Sequence, residues 1–377
     1  MPAPAVASVL QEGERLLVLA ALGPRDQALA AWTSWLAARS LDDIEPGSFA
    51  ILPAVSKQME SEPGKHPEAG RLRGVYRYAW TQNQVTFRDL ATAVGALTDA
   101  GVPVVAHRGL PIVARYLGDP AAIIVDQVDL LIPPADLPRA VASIASRGWH
   151  PPRLIPSTRV RSAFESIALW APDRRRIVLH WRCLPLGCPA RLERGVIDRA
   201  VQWELQGLRL FIPEPTDQAL IASVASGTLL RHEIARWTLE WLAISTTGID
   251  AGELARRREA SGADRSGAPS FPTREALGQA GPVIEPPAQA GRAEPDPGQQ
   301  PPAASPVTRL LRALPRTWQR YLAVCRANAH RATPWGFARF IPAYYHHAWQ
   351  VSDEVGLTRS AIRQVLSGPG HPGVRPT

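Results

Sequence analysis

From Arg71 to Gly101 the positions Leu72, Val75, Tyr76, Ala79, Asn83, Phe87, Leu90, Ala91, Val94 and Leu97 recur close to every 3.6 residues. All but Asn83 are apolar, and that period places them on one face of a helix. The spacing predicts a long helix over 71–101, with Gly101 as its stop. Shorter helical patterns occupy residues 25–60. After Gly101 the rhythm changes. VPVVAH predicts a short strand, GLPIVARYL a helix, and AAIIVDQVDLLI (121–132) a buried strand. Asp136 stands where a helix cap is expected, ahead of a stripe of Leu137, Ala140, Val141, Ile144 and Ala145 that Gly148 ends. SAFESIALWA and RRIVLHWRC flank the turn PDRR and predict a hairpin. Beyond Pro213, residues 216–244 and 249–259 return to helical spacing. The order predicts a body that is helical over 1–99, α/β over 100–215 and helical again over 216–262.

Composition changes this picture mainly at the C-terminal end. With 377 residues and 45% apolar content, the chain can bury a sizeable core and at least one satellite. Residues 263–306 cannot join it, because they are rich in Pro, Gly, Ala and Ser and predict a disordered linker. Beyond it, 307–377 reads as a basic helical segment. Its ten arginines stand against Asp353 and Glu354, which accounts for the whole formal charge of +8. Only Lys57 and Lys65 are lysines, and a GC-rich genome explains so arginine-heavy a chain as readily as phosphate binding does. Pro315 suits a first helical turn, and Trp318, Tyr321, Leu322 and Cys325 follow as an apolar stripe. Three cysteines are too few and too irregular for a disulfide framework, and the start lacks a cationic segment before its apolar stretch. A reduced, cytoplasmic protein is expected. No apolar run approaches the roughly 20 residues of a membrane span.

The candidate chemistry sits on the central strand. Asp126 and Asp129 are three positions apart, whereas side chains on one strand face are two apart. Asp129 therefore shares its face with Gln127. A short strand, Gly109 at the mouth of a helix, and then a strand bearing acids form the order of the nucleotidyltransferase superfamily. There the glycine opens a helix N-terminus to phosphate, and carboxylates on neighbouring strands hold a divalent metal.

Longer motifs narrow the likeness. LRGVYRYAWTQNQ (72–84), AGVPVVAHRGLPIVARYL (100–117), DQVDLLIPPADLPRAVASIASRGW (126–149), IVLHW (177–181) and the helical run 213–250 follow one another in order. Together they resemble the uncharacterised nucleotidyltransferase-like family often encoded beside lasso-peptide and other peptide-modification genes, over roughly residues 25–260 and more loosely over 307–365. The resemblance implies an α+β fold with a nucleotidyltransferase-like mixed-sheet core flanked by helical domains, an NTP or other phosphate-bearing ligand, Mg2+ as cofactor, and partner proteins of peptide biosynthesis. It also implies where this chain departs. The first metal-site aspartate of the family corresponds to Gln127, the second is kept as Asp129, and the third corresponds to Val178. A lysine corresponds to Arg108. The candidate site is thus Asp129 with Asp126 as catalytic and metal-binding carboxylates, and Arg108, Gly109, Gln127 and His180 around the substrate. A β-bulge would bring Asp126 onto the face of Asp129, but AAIIVDQVDLLI carries no glycine to ease one. Weak magnesium binding and weak or lost nucleotidyl transfer are expected, with an active metal-dependent transferase as the alternative.

Other residues read more plainly. His180 shares a strand face with Val178 and points toward the former metal position, or else is a satisfied core histidine. His180, Cys183 and Cys188 lack a fourth zinc ligand and a recognised spacing. His346 and His347 read as a solvated pair. No G-x-S-x-G elbow, phosphate loop of the G-x-x-x-x-G-K-[ST] type, or G-x-G-x-x-G fingerprint occurs. The 12 tryptophans sit mostly at helical spacing with leucine and read as core. The C-terminal arginines read as solvated surface, with acidic lipid, nucleic acid or a nucleotide phosphate as alternatives. Nucleic acid ranks below a phosphate-bearing small molecule as a partner.

Overall fold

The computed structural model describes residues 10–60, 68–151, 164–173, 175–184, 188–225 and 234–262. The proline-rich linker and the basic C-terminal segment, with His346 and His347, lie outside the described residues. Of these, the residues up to Pro151 and those from Glu165 to Gly262 fall in one compact unit.

Four helices open this unit: α1 (Glu12–Leu22), α2 (Arg25–Ala38), α3 (Pro46–Phe49) and α4 (Leu52–Met59). Trp32 and Trp35 of α2 stack at 5.4 Å with rings 6° from parallel, and both are buried. Helix α5 (Ala69–Asp99) follows the apolar period read in the sequence, burying Leu72, Ala79, Asn83, Leu90, Val94 and Leu97. It stops where Gly101 turns to φ +64, with the Gly101 N–H donating to Thr98 and the Val102 N–H to Leu97.

The sheet comes next. It comprises β1 (Val105–Ala106), β2 (Gln127–Leu131), β3 (Ser166–Trp170) and β4 (Arg176–His180), interleaved with α6 (Leu110–Leu117) and α7 (Leu137–Ala145). Spatial order is β1-β2-β4-β3, with β2 and β4 parallel and both outer pairings antiparallel. The expected hairpin is β3–β4, and the mixed sheet is that of the α+β fold. The central strand is shorter than its apolar run predicted, beginning only at Gln127. Side chains of α5 claim the backbone upstream of it. Asn83 accepts from the Val125 N–H and donates to the carbonyls of Pro120 and Ile123, while Thr86 donates to the Val125 carbonyl. Residues 121–125 are buried for the most part, yet their polar groups bond to α5, to Asp119 and to the Ala50 carbonyl rather than to a ladder. Asp136 also departs from its expected role. It gives α7 no side-chain cap and meets Arg139 at 2.5 Å instead.

The last third contains α8 (Ala190–Asp198), the hairpin of β5 (Val201–Leu205) and β6 (Leu208–Ile212), and helices α9 (Pro215–Ala225), α10 (Ile234–Ile244) and α11 (Ala251–Ser261). Helix α8 and this hairpin went unread in the sequence. The hairpin turns on Gln206 (φ 50) and Gly207 (φ 83), the two positive angles that a tight two-residue hairpin turn demands. Asp217 of α9 is fully buried and accepts two 2.9 Å bonds from Arg199 and one of 2.6 Å from Arg257. Arg257 also meets Glu214 and Glu253, so three segments close around one carboxylate. Val105 and Leu131 of the sheet pack with Val196, Leu220, Ile221 and Val224 in one apolar cluster. Among the described residues no helix is long and apolar enough to cross a membrane.

Candidate functional site

Strand register decides which side chains meet. Asp129 lies opposite Val178 and Gln127 opposite Arg176 in the parallel β2–β4 pair, while Leu131 lies opposite His180. Gln127, Asp129, Val178 and His180 therefore occupy one sheet face. Val105 pairs with Leu131, so His107, two residues further on, joins the same face.

At the centre is the Asp129 carboxylate, 4% exposed. His180 Nε2 stands 2.8 Å from its Oδ1. The Gln127 amide donates to both oxygens, at 2.9 and 3.0 Å. Burial alone would raise the Asp129 pKa. The hydrogen bond from His180 and the positive field of His180 and Arg108 outweigh it, holding the carboxyl well below the usual carboxylate range. Facing an ionised carboxylate, His180 Nε2 is the donor. The His107 ring meets that of His180 edge-on at 4.6 Å between centroids. It is fully buried, and neither ring nitrogen has a hydrogen-bond partner among the described residues. Burial, then His180 and Arg108, push its pKa well below the histidine range, against the opposing pull of Asp129.

Two other elements approach the face. Gly109 begins α6 at φ +71, and a Cβ there would stand 3.5 Å from the Gln127 carbonyl and 3.8 Å from Asp129 Oδ2. Glycine is needed for the angle, which L side chains rarely adopt, while the two distances are ordinary contacts that place the helix start beside Asp129. The guanidinium of Arg108 lies 4.9 Å over the Trp237 ring of α10, with its Nε buried and unpartnered among the described residues. Arg236, also on α10, pairs with Glu240 at 2.9 Å. Burial works against its charge, but Glu240, Asp126 and Asp129 keep it firmly protonated.

Asp126 stands apart from this group. Its side chain is 64% exposed and meets Arg176 at 3.3 Å. The register from Gln127 to Leu131 is unbroken, so no bulge turns Asp126 toward Asp129. His180, Cys183 and Cys188 do not converge either. The Cys183 thiol donates to Glu193 and the Cys188 thiol to the Ser261 carbonyl, while His180 faces Asp129.

The face does not suit magnesium, which prefers several hard oxygen ligands. Its one carboxylate already accepts N–H groups on both oxygens, Gln127 presents its NH2, and Val178 offers no ligand. Among the described residues no three His, Cys, Asp or Glu side chains gather as a metal-binding group. The arrangement instead fixes an anion inside a hydrogen-bonded, positively charged setting. The structure thus brings Asp129, Gln127, His180 and Gly109 together, sets Arg108 against Trp237, and leaves Asp126 outside. His107 and Arg236 were missed in the sequence. Alternation from Val105 marks the first, and the i,i+4 spacing of Arg236 and Glu240 hints at the second.

A search of curated proteins finds no match to the chain. A family model described as an uncharacterised nucleotidyltransferase matches residues 50–257. That match spans more than half of the chain and takes in the four-stranded sheet, the Gly109 turn and Asp129, and the chain belongs to this nucleotidyltransferase family.

Proposed function

We propose that this chain is a family member whose metal-dependent nucleotidyl transfer is weak or lost, and that it serves as an accessory protein in peptide natural-product biosynthesis. The observation that carries the first part is the closed Asp129 carboxylate, with Gln127 on both oxygens and His180 on one. When bound, a divalent metal pair supplies charge at the attacking and leaving oxygens of such a transfer, and converging carboxylates hold it there. Gln127 and Val178 supply none of that charge. The peptide-biosynthesis role rests on the ordered motifs alone.

A phosphate-bearing ligand remains compatible with the face. Helix α6 opens at Gly109 beside it, where N–H groups and the helix dipole favour an anion. Arg108 is near enough for its charge to act on Asp129 and adds to the attraction. In this reading the chain binds the phosphates of a nucleotide without turning it over. Incubation with each radiolabelled NTP, magnesium or manganese, and candidate acceptors is expected to leave the label untransferred. Transfer by the native chain that vanishes in Asp129→Ala would overturn the reading.

A further inference from the structure

Helix α5 presents an outward face that the sheet site does not use. Between Glu68 and Asp89 the helix carries Arg71, Arg73, Arg77 and Arg88 and no acidic residue. Arg71 is occupied by Asp42 and Glu68. Arg73, Arg77 and Arg88 are exposed, and none has an ion-pair partner among the described residues. Asp89, next to Arg88, is buried and bound to Arg175. Positions 73, 77, 80, 84 and 88 step by four, three, four and four residues, so Trp80 and Gln84 fall in line with the three arginines. At a rise of 1.5 Å per residue the row is about 22 Å long. Trp80 is 52% exposed at its middle, an unusual position for so large an apolar ring. On the opposite side Ala79, Asn83, Thr86 and Leu90 are buried, which holds the helix in place.

We propose that this face of α5 binds single-stranded nucleic acid, with the arginines on its phosphates along the row and Trp80 under an unstacked base. Charge complementarity favours this partner, because three exposed guanidinium groups with no ion pair among the described residues line one edge and offer planar phosphate recognition. The aromatic ring favours single strands over duplex, since only unpaired bases expose a face to stack on. An acidic membrane fits less well. A helix lying in a lipid surface needs a continuous apolar stripe, and the stripe of α5 is spent on the core. The proposal stands apart from the reading of the sheet face, and either survives the failure of the other.

The test uses the full chain and a labelled single-stranded 15-mer followed by fluorescence anisotropy across a salt series. Because arginines in 307–377 also attract polyanions, the comparison is between variants. The triple variant Arg73→Gln/Arg77→Gln/Arg88→Gln is expected to bind at least about tenfold more weakly, with a salt slope lower by about 2. Trp80→Ala is expected to bind about tenfold more weakly with its salt slope unchanged. All four side chains are exposed, and unchanged circular dichroism verifies the fold. Native-like binding by both variants would overturn the proposal. So would losses of equal size on single strands, duplex and phosphatidylserine vesicles, which would mark unspecific charge attraction.

Discussion

Aspartates at positions 127 and 178 are expected to give this chain the divalent-metal site that its native residues do not form. Gln127 lies two positions from Asp129 on the same face of β2, and Val178 lies directly opposite Asp129 on β4. Gln127→Asp removes the amide that occupies both Asp129 oxygens, and Val178→Asp adds a third carboxylate at a buried position. Without metal, three crowded carboxylates should destabilise the double variant by about 3 kcal/mol or more. Metal should reverse that loss. Manganese at 100 times its dissociation constant contributes about 2.7 kcal/mol to the folded state. The expected result is a melting temperature that climbs with manganese in the double variant and stays flat in the native chain. A double variant indifferent to manganese would show that this face is not the metal site in register.

The second large effect concerns the turn that delivers β2. Asn83 is 1% exposed and satisfies the Val125 N–H and the Pro120 and Ile123 carbonyls at once. Asn83→Ala leaves three backbone groups without their partner, the Val125 N–H and the Ile123 carbonyl in buried bonds, and each unsatisfied buried group costs about 1–3 kcal/mol. We expect a stability loss of about 3–5 kcal/mol by urea unfolding, at the upper end for one substitution. Asn83→Asp keeps the acceptor but loses the donor, so it should rescue little. A loss under about 1 kcal/mol in Asn83→Ala would mean that the turn is held by packing alone.

These residues also show how far the sequence could be read. The period of α5 was legible because its apolar stripe faces the core without interruption, and Asn83 fell in that stripe as if it were a packing residue. Its task was not legible. An amide reaching about 40 residues along the chain leaves no local pattern, so the run AAIIV looked like strand when it is a buried turn. Face alternation separated Asp126 from Asp129 correctly. That Gln127 would spend its amide on Asp129 depends on a side-chain rotation that spacing does not encode. The β5–β6 hairpin was legible in principle, since Gln-Gly separates two runs with alternating burial by two residues. His107 carried the weakest signal, a lone histidine at the end of an apolar run, and only the pairing of β1 with β2 puts it beside His180.

A sheet face without a metal requires Asp129 to be an anion satisfied by protein N–H groups rather than a metal ligand. Manganese binding by the native chain measures this without reference to any substrate. Free Mn2+ is counted by electron paramagnetic resonance as the ion is titrated into the native chain and into Asp129→Asn. The expected result is two superimposable curves, with no binding tighter than the millimolar range. One or two manganese ions held per native chain at micromolar concentration, and released in Asp129→Asn, would contradict it.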